Sequence, residues 1–452
     1  MSSSRLFGTD GIRGTANRHP VTPETAYRLG RAAGHLIGAG VDSPRFVIGR
    51  DTRRSGPMLE AALVAGLNSV GADALLAGVV PTPAVACLVT ELGAAGGVVI
   101  SASHNPAADN GLKLFGADGY KFPDSIEARL EELILTPEID SVRPEGAGIG
   151  TVSALTDAGE RYGRIVRESV PGMSLHGLKI AVDCANGASF ATTPAVLREL
   201  GADLSLFHAR PDGMNINEAC GSTHPEEIAR LVRETGAAIG ISHDGDADRL
   251  VLSDEAGEIV DGDEILALTA LDALRRGTLR GRTLVATVMS NFGLDECLAA
   301  AGGTVLRTAV GDRYVVEAMR EGDFSIGGEQ SGHLIFRDHG TTGDGLLAAL
   351  QVLRVMTESG RPLSELRRCL KKYPQAQRNL RVREKPPLDT LPEVMHLVTA
   401  TESALAGKGR VLLRYSGTEP KVRLLIEGPD EAVINASADA IASALIVAIG
   451  EN

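Results

Sequence analysis

Six consecutive residues, Asp244-Gly245-Asp246-Ala247-Asp248-Arg249, set three carboxylates at alternate positions with Gly and Ala between them. In an extended loop that spacing turns all three acids to one side, and the small spacers let the backbone bend around an ion. Hard carboxylate oxygens suit Mg²⁺ or Ca²⁺ rather than Zn²⁺. An EF-hand also opens D-x-D-x-D, but it needs Gly at loop position 6, where this chain has Arg249, and apolar Leu250-Val251-Leu252 follow. An acidic surface turn is the plain alternative. Residues 238–241 read as a strand that delivers the loop to its carboxyl end, where α/β sites form.

Ser101-Ala102-Ser103-His104-Asn105-Pro106 follows the apolar run 97–100. A hydroxyl at the end of a buried strand, beside His, is a candidate nucleophile, although such clusters are more often plain turns. No Gly-x-Ser-x-Gly elbow surrounds Ser103, which disfavours a hydrolase of that type. Lys113, on a short strand over 111–115, would return toward the same loop; a lone Lys is ordinarily solvated. Gly327-Gly328-Glu329-Gln330-Ser331-Gly332-His333 offers hydrogen-bond partners for hydroxyls among glycines that admit close approach. Arg414-Tyr415-Ser416-Gly417-Thr418-Glu419-Pro420, with Arg423 beyond it, has the guanidinium, hydroxyls and Gly of a phosphate cradle or of a simple hairpin turn. It is not a P-loop, because GxxxxGK[ST] is missing. The segments 7–14, with Thr9 and Arg13, and 49–53 carry Arg among Gly and Thr, as anion sites and ordinary loops both do.

The elements that must hold these loops repeat. An apolar strand, a polar turn, an amphipathic helix, a glycine and a second strand occur at 46–77, 179–207 and 283–306. In the second copy the helix is expected near 194–200, and in the third near 294–301. Strands buried on both faces and helices ended by glycine are the marks of β-α-β units, so three α/β domains of similar build are expected. Residues 137–151 are Pro/Gly-rich and separate the first from the second. Residues 252–263 read as a hairpin leading into a helix near Glu264. Residues 371–387, basic and Pro-bearing without helical periodicity, read as a linker. Strands over 411–414 and 422–427 with a helix over 432–447 give the last segment an α+β pattern.

The chain has 452 residues, 43% hydrophobic and 23% charged, which is too long for one core and too apolar for disorder. Its formal net charge of −13 argues against a nucleic-acid binder. A small anion needs only a few local cations, so an anionic substrate stays open. Five cysteines, scattered and without CxxC spacing, point to reduced thiols and a cytoplasmic protein. The N-terminal segment lacks a signal-peptide pattern, and no stretch is expected to match the ~18 consecutive apolar residues of a membrane span.

Taken in order, these four loops resemble the α-D-phosphohexomutase superfamily over essentially the whole chain. Within it, Gly328-Glu329-Gln330-Ser331-Gly332-His333 and Arg414-x-Ser416-Gly417-Thr418-Glu419-Pro420 are similar to the phosphoglucosamine mutase branch. So are Asn215-Ile216-Asn217, Cys220-Gly221-Ser222-Thr223 and Val310-Gly311-Asp312-Arg313-Tyr314-Val315. Tyr415 departs from the Pro or Lys more usual there. The resemblance implies an α/β fold: three similar domains with mixed sheets at 1–150, 151–254 and 255–370, then a smaller α+β domain at 371–452, around a central cleft.

It further implies an isomerase that interconverts glucosamine 6-phosphate and glucosamine 1-phosphate, feeding UDP-N-acetylglucosamine and cell-wall precursors. Ser103 would be carried as phosphoserine, formed by a kinase or by autophosphorylation. One Mg²⁺ would be held by Ser103, Asp244, Asp246 and Asp248, and glucosamine 1,6-bisphosphate would be the intermediate. Lys113 and His333 are the expected proton-transfer groups, and Arg249 would steady the metal loop or moving phosphate. Thr9, Arg13, Glu329, Ser331, Arg414, Ser416, Gly417, Thr418 and Arg423 are the expected substrate-binding residues. The resemblance also suggests a homodimer. Three rivals stand beside this reading: a phosphomannomutase/phosphoglucomutase acting on non-amino hexose phosphates, a non-catalytic sugar-phosphate sensor, and a metal-dependent phosphatase.

Overall fold

A computed structural model describes residues 6–8, 10–416 and 419–451. The chain forms two compact units, one of Met1–Thr287 with Leu306–Cys369 and one of Val288–Val305 with Leu370–Asn452.

In the first unit, parallel strands Arg45–Arg50, Asp73–Val79 and Gly96–Ile100 form the centre of a six-stranded mixed sheet. Phe46, Val47 and Ile48 are wholly buried, as expected for a strand covered on both faces. Asp109–Gly116 returns antiparallel beside Gly96–Ile100, and Ile12–Thr15 pairs antiparallel with it. That return carries Lys113 back toward the end of the strand that leads to Ser103. Val152–Ala154 adds a last parallel strand beside Asp73–Val79.

A second, five-stranded sheet sets Asp203–Phe207, Lys179–Asp183 and Ile239–His243 parallel, then Leu250–Asp254 and Ile259–Val260 antiparallel. The last two form the expected hairpin. Helix Gly262–Arg276 follows, started by a capping box in which Asp261 and Glu264 satisfy each other's backbone amides. One correction concerns helix Ser189–Glu199, which begins five residues before the expected start at Pro194. Pro194 lies inside the helix rather than at its first turn. In the third set of strands, Thr283–Thr287 runs parallel to Ile326–Gly328, which pairs antiparallel with Leu334–Phe336.

The second unit has a three-stranded antiparallel sheet in the order Gln375–Arg381, Lys421–Glu427, Arg410–Tyr415. Its first strand lies within 371–387, where a linker is expected from the sequence. Gln-Ala-Gln-Arg-Asn-Leu-Arg buries only Ala376 fully. As an edge strand it is held by backbone pairing on one side, so it carries no strong apolar alternation. Helix Glu431–Ile449 closes this unit without the ~18 consecutive apolar residues of a membrane span. At 19 residues and a mean hydropathy of 1.9 it is long and apolar enough to cross a membrane, by length and composition. Asp439 and three other polar residues break its consecutive run without lowering the average enough. Ile434, Ala438, Ile441, Leu445 and Ile449 line one side of it and pack into this unit's core. All five cysteines are free thiols.

Candidate active site

The strands that carry the two central loops end on the site. Ile239–His243 runs directly into Asp244, and Gly96–Ile100 leads to Ser103. Asp244, Asp246, Asp248 and Ser103 are all buried, and Ser103 Oγ donates to Asp244 Oδ2 at 2.6 Å. Ser103 and Ala247 hold φ values of 52° and 56°, in the left-handed region that non-glycine residues rarely enter. Such outliers persist where surrounding contacts over-determine them, and they cluster at functional sites. Gly245 answers a steric demand, because a Cβ there would lie 2.6 Å from the Ser103 carbonyl oxygen.

One carboxylate oxygen from each aspartate lies within 4.8 Å of the others. Burial and the neighbouring Asp248 and Asp246 push the Asp244 carboxyl up to about 7. Asp246 Oδ1 and Asp248 Oδ1 are buried without a hydrogen-bond partner. Clustered hard oxygens with lone pairs left over fit a divalent cation, which would relieve both the mutual repulsion and the desolvation.

Lys113, 1% exposed, supplies part of the compensating charge. Its Nζ lies 2.8 Å from Asp246, 3.2 Å from Asp10 and 3.6 Å from Asp248. Burial works against its charge, but these three acids outweigh it and raise its pKa. Burial likewise opposes ionisation of Asp248, but Lys113, His333 and Arg249 together outweigh it and hold that carboxyl well below its ordinary range. Arg249 Nε stands 3.9 Å from Asp248, and the Arg249 amide donates to Asp244 Oδ1 at 3.3 Å. Arg13 pairs with Asp10, and Asp246 and Asp248 add to its raised pKa against the effect of burial. His104 Nδ1 lies 3.3 Å from Ser103 Oγ, and burial followed by Arg249 and Arg13 pull its pKa down to about 4.

The Gly-rich loop is tied to the same centre. Gly332, at φ 90°, lets its carbonyl accept from the Leu250 amide just past the metal loop, where any Cβ would meet the Leu250 carbonyl oxygen at 2.1 Å. Glu329 accepts from the Gly311 amide at 3.1 Å and from the exposed Ser331 hydroxyl at 3.5 Å. His333 is buried, with Nδ1 3.7 Å from Asp248 and Nε2 accepting from the Gly343 amide at 3.1 Å. The neutral ring therefore carries its proton on Nδ1, facing Asp248. The fold thus gathers Ser103, Lys113, Arg249, His333 and the three aspartates.

In the second unit, Arg414 and Arg423 face each other across paired strands. Burial and then Arg423 lower the Arg414 pKa, and each guanidinium keeps a buried Nε without a hydrogen-bond partner. Like charges directly opposite are unfavourable in a sheet, and a nearby anion would relieve the repulsion. Lys385 Nζ donates to the Ser416 carbonyl at 2.8 Å at the same end, and Glu419 pairs with Arg423 at 3.1 Å. Three expected substrate-binding residues, Thr9, Gly417 and Thr418, lie outside the described residues.

Sequence reasoning missed several contributors. Thr82 grips Asp246 twice, hydroxyl to carboxylate at 2.6 Å and amide to carbonyl at 2.9 Å. Lys121 bridges Asp10 and Asp312, which extends the charge network toward the His333 side, where Asp312 lies 3.8 Å from Nε2. Asp51 and Arg53, both wholly buried, pair behind the Ser103 loop. Only Asp10, Asp51, Arg53 and Asp312 had a signal, each standing in a short motif of Arg, Asp and Gly.

Comparison with known proteins places the whole chain in one family. The domain families described as Phosphoglucomutase/phosphomannomutase, alpha/beta/alpha domains I, II and III, match residues 4–139, 165–257 and 261–373, and the C-terminal domain matches 378–444. A curated phosphoglucosamine mutase of an Anaeromyxobacter species is 52% identical, covering 99% of this chain and 96% of its own. One from Syntrophotalea carbinolica is 52% identical over 98% of this chain and 97% of its own. A phosphoglucomutase/phosphomannomutase family protein of Burkholderia thailandensis superposes with a TM-score of 0.81 at 26% identity, covering 99% and 98% of the two chains. The fold is shared with Aspergillus fumigatus N-acetylphosphoglucosamine mutase, solved with GlcNAc-6P and magnesium, at a TM-score of 0.68 and 18% identity over 97% and 95%. The chain belongs to the phosphoglucosamine mutases of the phosphohexomutase superfamily.

Proposed function

We propose that this chain interconverts glucosamine 6-phosphate and glucosamine 1-phosphate by passing a phosphoryl group through Ser103. The observation that carries the reading is the placement of Ser103 Oγ against Asp244, at the edge of a three-carboxylate cluster with unpartnered oxygens. Relatives named for this activity match the chain over nearly its whole length. Ser103, Asp244, Asp246 and Asp248 are the residues that would hold a Mg²⁺ ion. Bound there, the ion supplies charge neutralisation for the transferred phosphoryl group.

The chain's own residues do the rest. Phosphoserine 103 gives its phosphoryl to O1 of glucosamine 6-phosphate: the P–Oγ bond breaks, a P–O1 bond forms, and the hydroxyl proton leaves to a base. The 1,6-bisphosphate reorients, and its 6-phosphate returns to Ser103 Oγ, leaving glucosamine 1-phosphate. Lys113, kept protonated by Asp10, Asp246 and Asp248, suits the acid role in this exchange, and His333 is the second proton-transfer group. Glu329 and Ser331 bind sugar hydroxyls. Arg414, Ser416, Thr418 and Arg423 hold the phosphate that is not reacting, and Thr9, Arg13 and Gly417 are further substrate-binding residues. Arg249 steadies the metal loop.

The same proposal includes division into domains at 150, 254 and 370. It also includes a cytoplasmic location, a homodimer, and first phosphorylation of Ser103 by a kinase or by the chain itself. A coupled assay comparing glucosamine 6-phosphate with glucose and mannose phosphates tests the substrate. Preferred turnover of the amino sugar, with almost no inorganic phosphate released, is expected. Preference for a non-amino sugar, or stoichiometric phosphate release, would contradict it.

A further inference from the structure

We infer that Asn217 is a positioning residue for Ser103: from the turn after the second sheet's outer strand, its side-chain amide holds the Ser103 backbone in the conformation that aims Oγ at Asp244. Asn217 Nδ2 donates to the Ser103 carbonyl at 3.0 Å and to the Asn105 carbonyl at 3.1 Å. Both partners can only accept, so the orientation of the amide is fixed by chemistry. Arg53 Nη2 reaches the same two carbonyls from the other side, at 3.1 and 2.5 Å. The serine loop is thus held between a guanidinium on its own sheet and an amide from the neighbouring one.

Three further observations tie this contact to reactivity. Ser103 holds φ 52°, which local sequence does not favour, and its carbonyl is one anchor of that turn. The backbone amide of Ser103 donates to Ser101 Oγ at 2.9 Å, which in turn donates to Asp51 Oδ2 at 2.6 Å, so both ends of the residue are pinned. A Cβ on Gly245 would lie 2.6 Å from the Ser103 carbonyl oxygen and 2.8 Å from Asn217 Nδ2, so the metal loop rests directly on this hydrogen bond. Asn217 is 8% exposed and itself at φ 58°, a conformation Asn tolerates better than most side chains. Its position lies in the Asn215-Ile216-Asn217 motif, which the proposed chemistry leaves without a role.

The inference rests on the reading of Ser103 as phosphoryl carrier, and its test separates the two. Asn217→Asp keeps shape and tolerance of positive φ but replaces the donor with an oxygen facing two carbonyls. Asn217→Gly keeps the backbone and simply removes the donor. In the full chain with Mg²⁺, both variants are expected to lower kcat for glucosamine 6-phosphate by about 10- to 100-fold while KM stays within about 2-fold, the size of loss that a misplaced reacting group causes. Amide hydrogen exchange is expected to quicken selectively over residues 101–105. That readout needs no turnover, so a wild type inactive on glucosamine 6-phosphate would defeat the mutase reading and leave the clamp to be judged by exchange alone. Unchanged exchange at 101–105, or acceleration spread evenly over the whole chain, would overturn the inference. So would a rise in KM as large as the fall in kcat.

Discussion

Two clusters of possible metal ligands stand past the carboxyl ends of neighbouring parallel strands in the second sheet, and they differ in one respect. Asp244, Asp246 and Asp248 follow strand Ile239–His243, while Asp183 ends Lys179–Asp183, His208 follows Asp203–Phe207, and Cys220 lies in a nearby turn. Donor atoms in each trio lie within 4.8 Å of one another. Yet both Asp183 oxygens are engaged by backbone amides, Ala185 at 2.9 Å and Gly221 at 2.8 Å, and His208 Nδ1 adds a 3.1 Å contact. Burial, then Asp183, pushes the Cys220 thiol up to about 12, so it stays protonated. Asp246 and Asp248 each keep a buried oxygen without a hydrogen-bond partner. Proximity of donors is common to both clusters; carboxylate oxygens left without a hydrogen bond mark the one that fits a cation, whereas in the other both carboxylate oxygens fasten a turn.

The largest effect should come from the cluster with free oxygens. Asp246→Asn is expected to lower kcat by about 100-fold or more, on the scale of losing one preorganised electrostatic group. Because Thr82 and Lys113 still surround the position, the unfolding midpoint should change little. Normal turnover in this variant would erase the difference between the two clusters. Asp183→Asn should do the reverse. Its amide can accept from only one of the two backbone N–H groups, so a stability loss of about 1–3 kcal/mol in urea is expected. Mg²⁺ affinity by calorimetry should be preserved, and a lost Mg²⁺ isotherm would make Asp183 part of the metal centre.

The smallest effect is a pH dependence. The Asp183 carboxylate, 3.1 Å from His208 Nδ1, raises the His208 pKa above its ordinary 6.5 against the effect of burial, with Glu227 assisting and Arg230 opposing. A raised histidine contributes its stability fully below the unfolded value and loses it as pH climbs through the folded one. As pH rises from below 6.5 through the raised folded value, the wild type should therefore lose more stability than His208→Gln. Parallel urea midpoints for the two chains would contradict the assignment.

The comparison also shows how far a sequence can be read. Asp-Gly-Asp-Ala-Asp announces itself because the spacing alone puts three acids on one side of a loop. Asp183, His208 and Cys220 are spread over dozens of residues, and only strand pairing brings them together. Ser103 was legible as a residue type after a strand, but its left-handed backbone and its clamps depend on partners about 50 and 114 positions away. Lys113 reads as surface from its neighbours and is buried because three acids from elsewhere receive it. The edge strand Gln375–Arg381 was mistaken for a linker since its partner, not its own pattern, makes it a strand.

Intact-mass measurement after incubation with glucosamine 1,6-bisphosphate and Mg²⁺, with peptide mapping, tests the central claim most directly. The wild type is expected to carry one phosphate, mapped to Ser103, and Ser103→Ala to carry none and to convert no glucosamine 6-phosphate. A wild type that converts the sugar with no phosphate ever found on Ser103, or a Ser103→Ala chain that still turns over, would contradict the account.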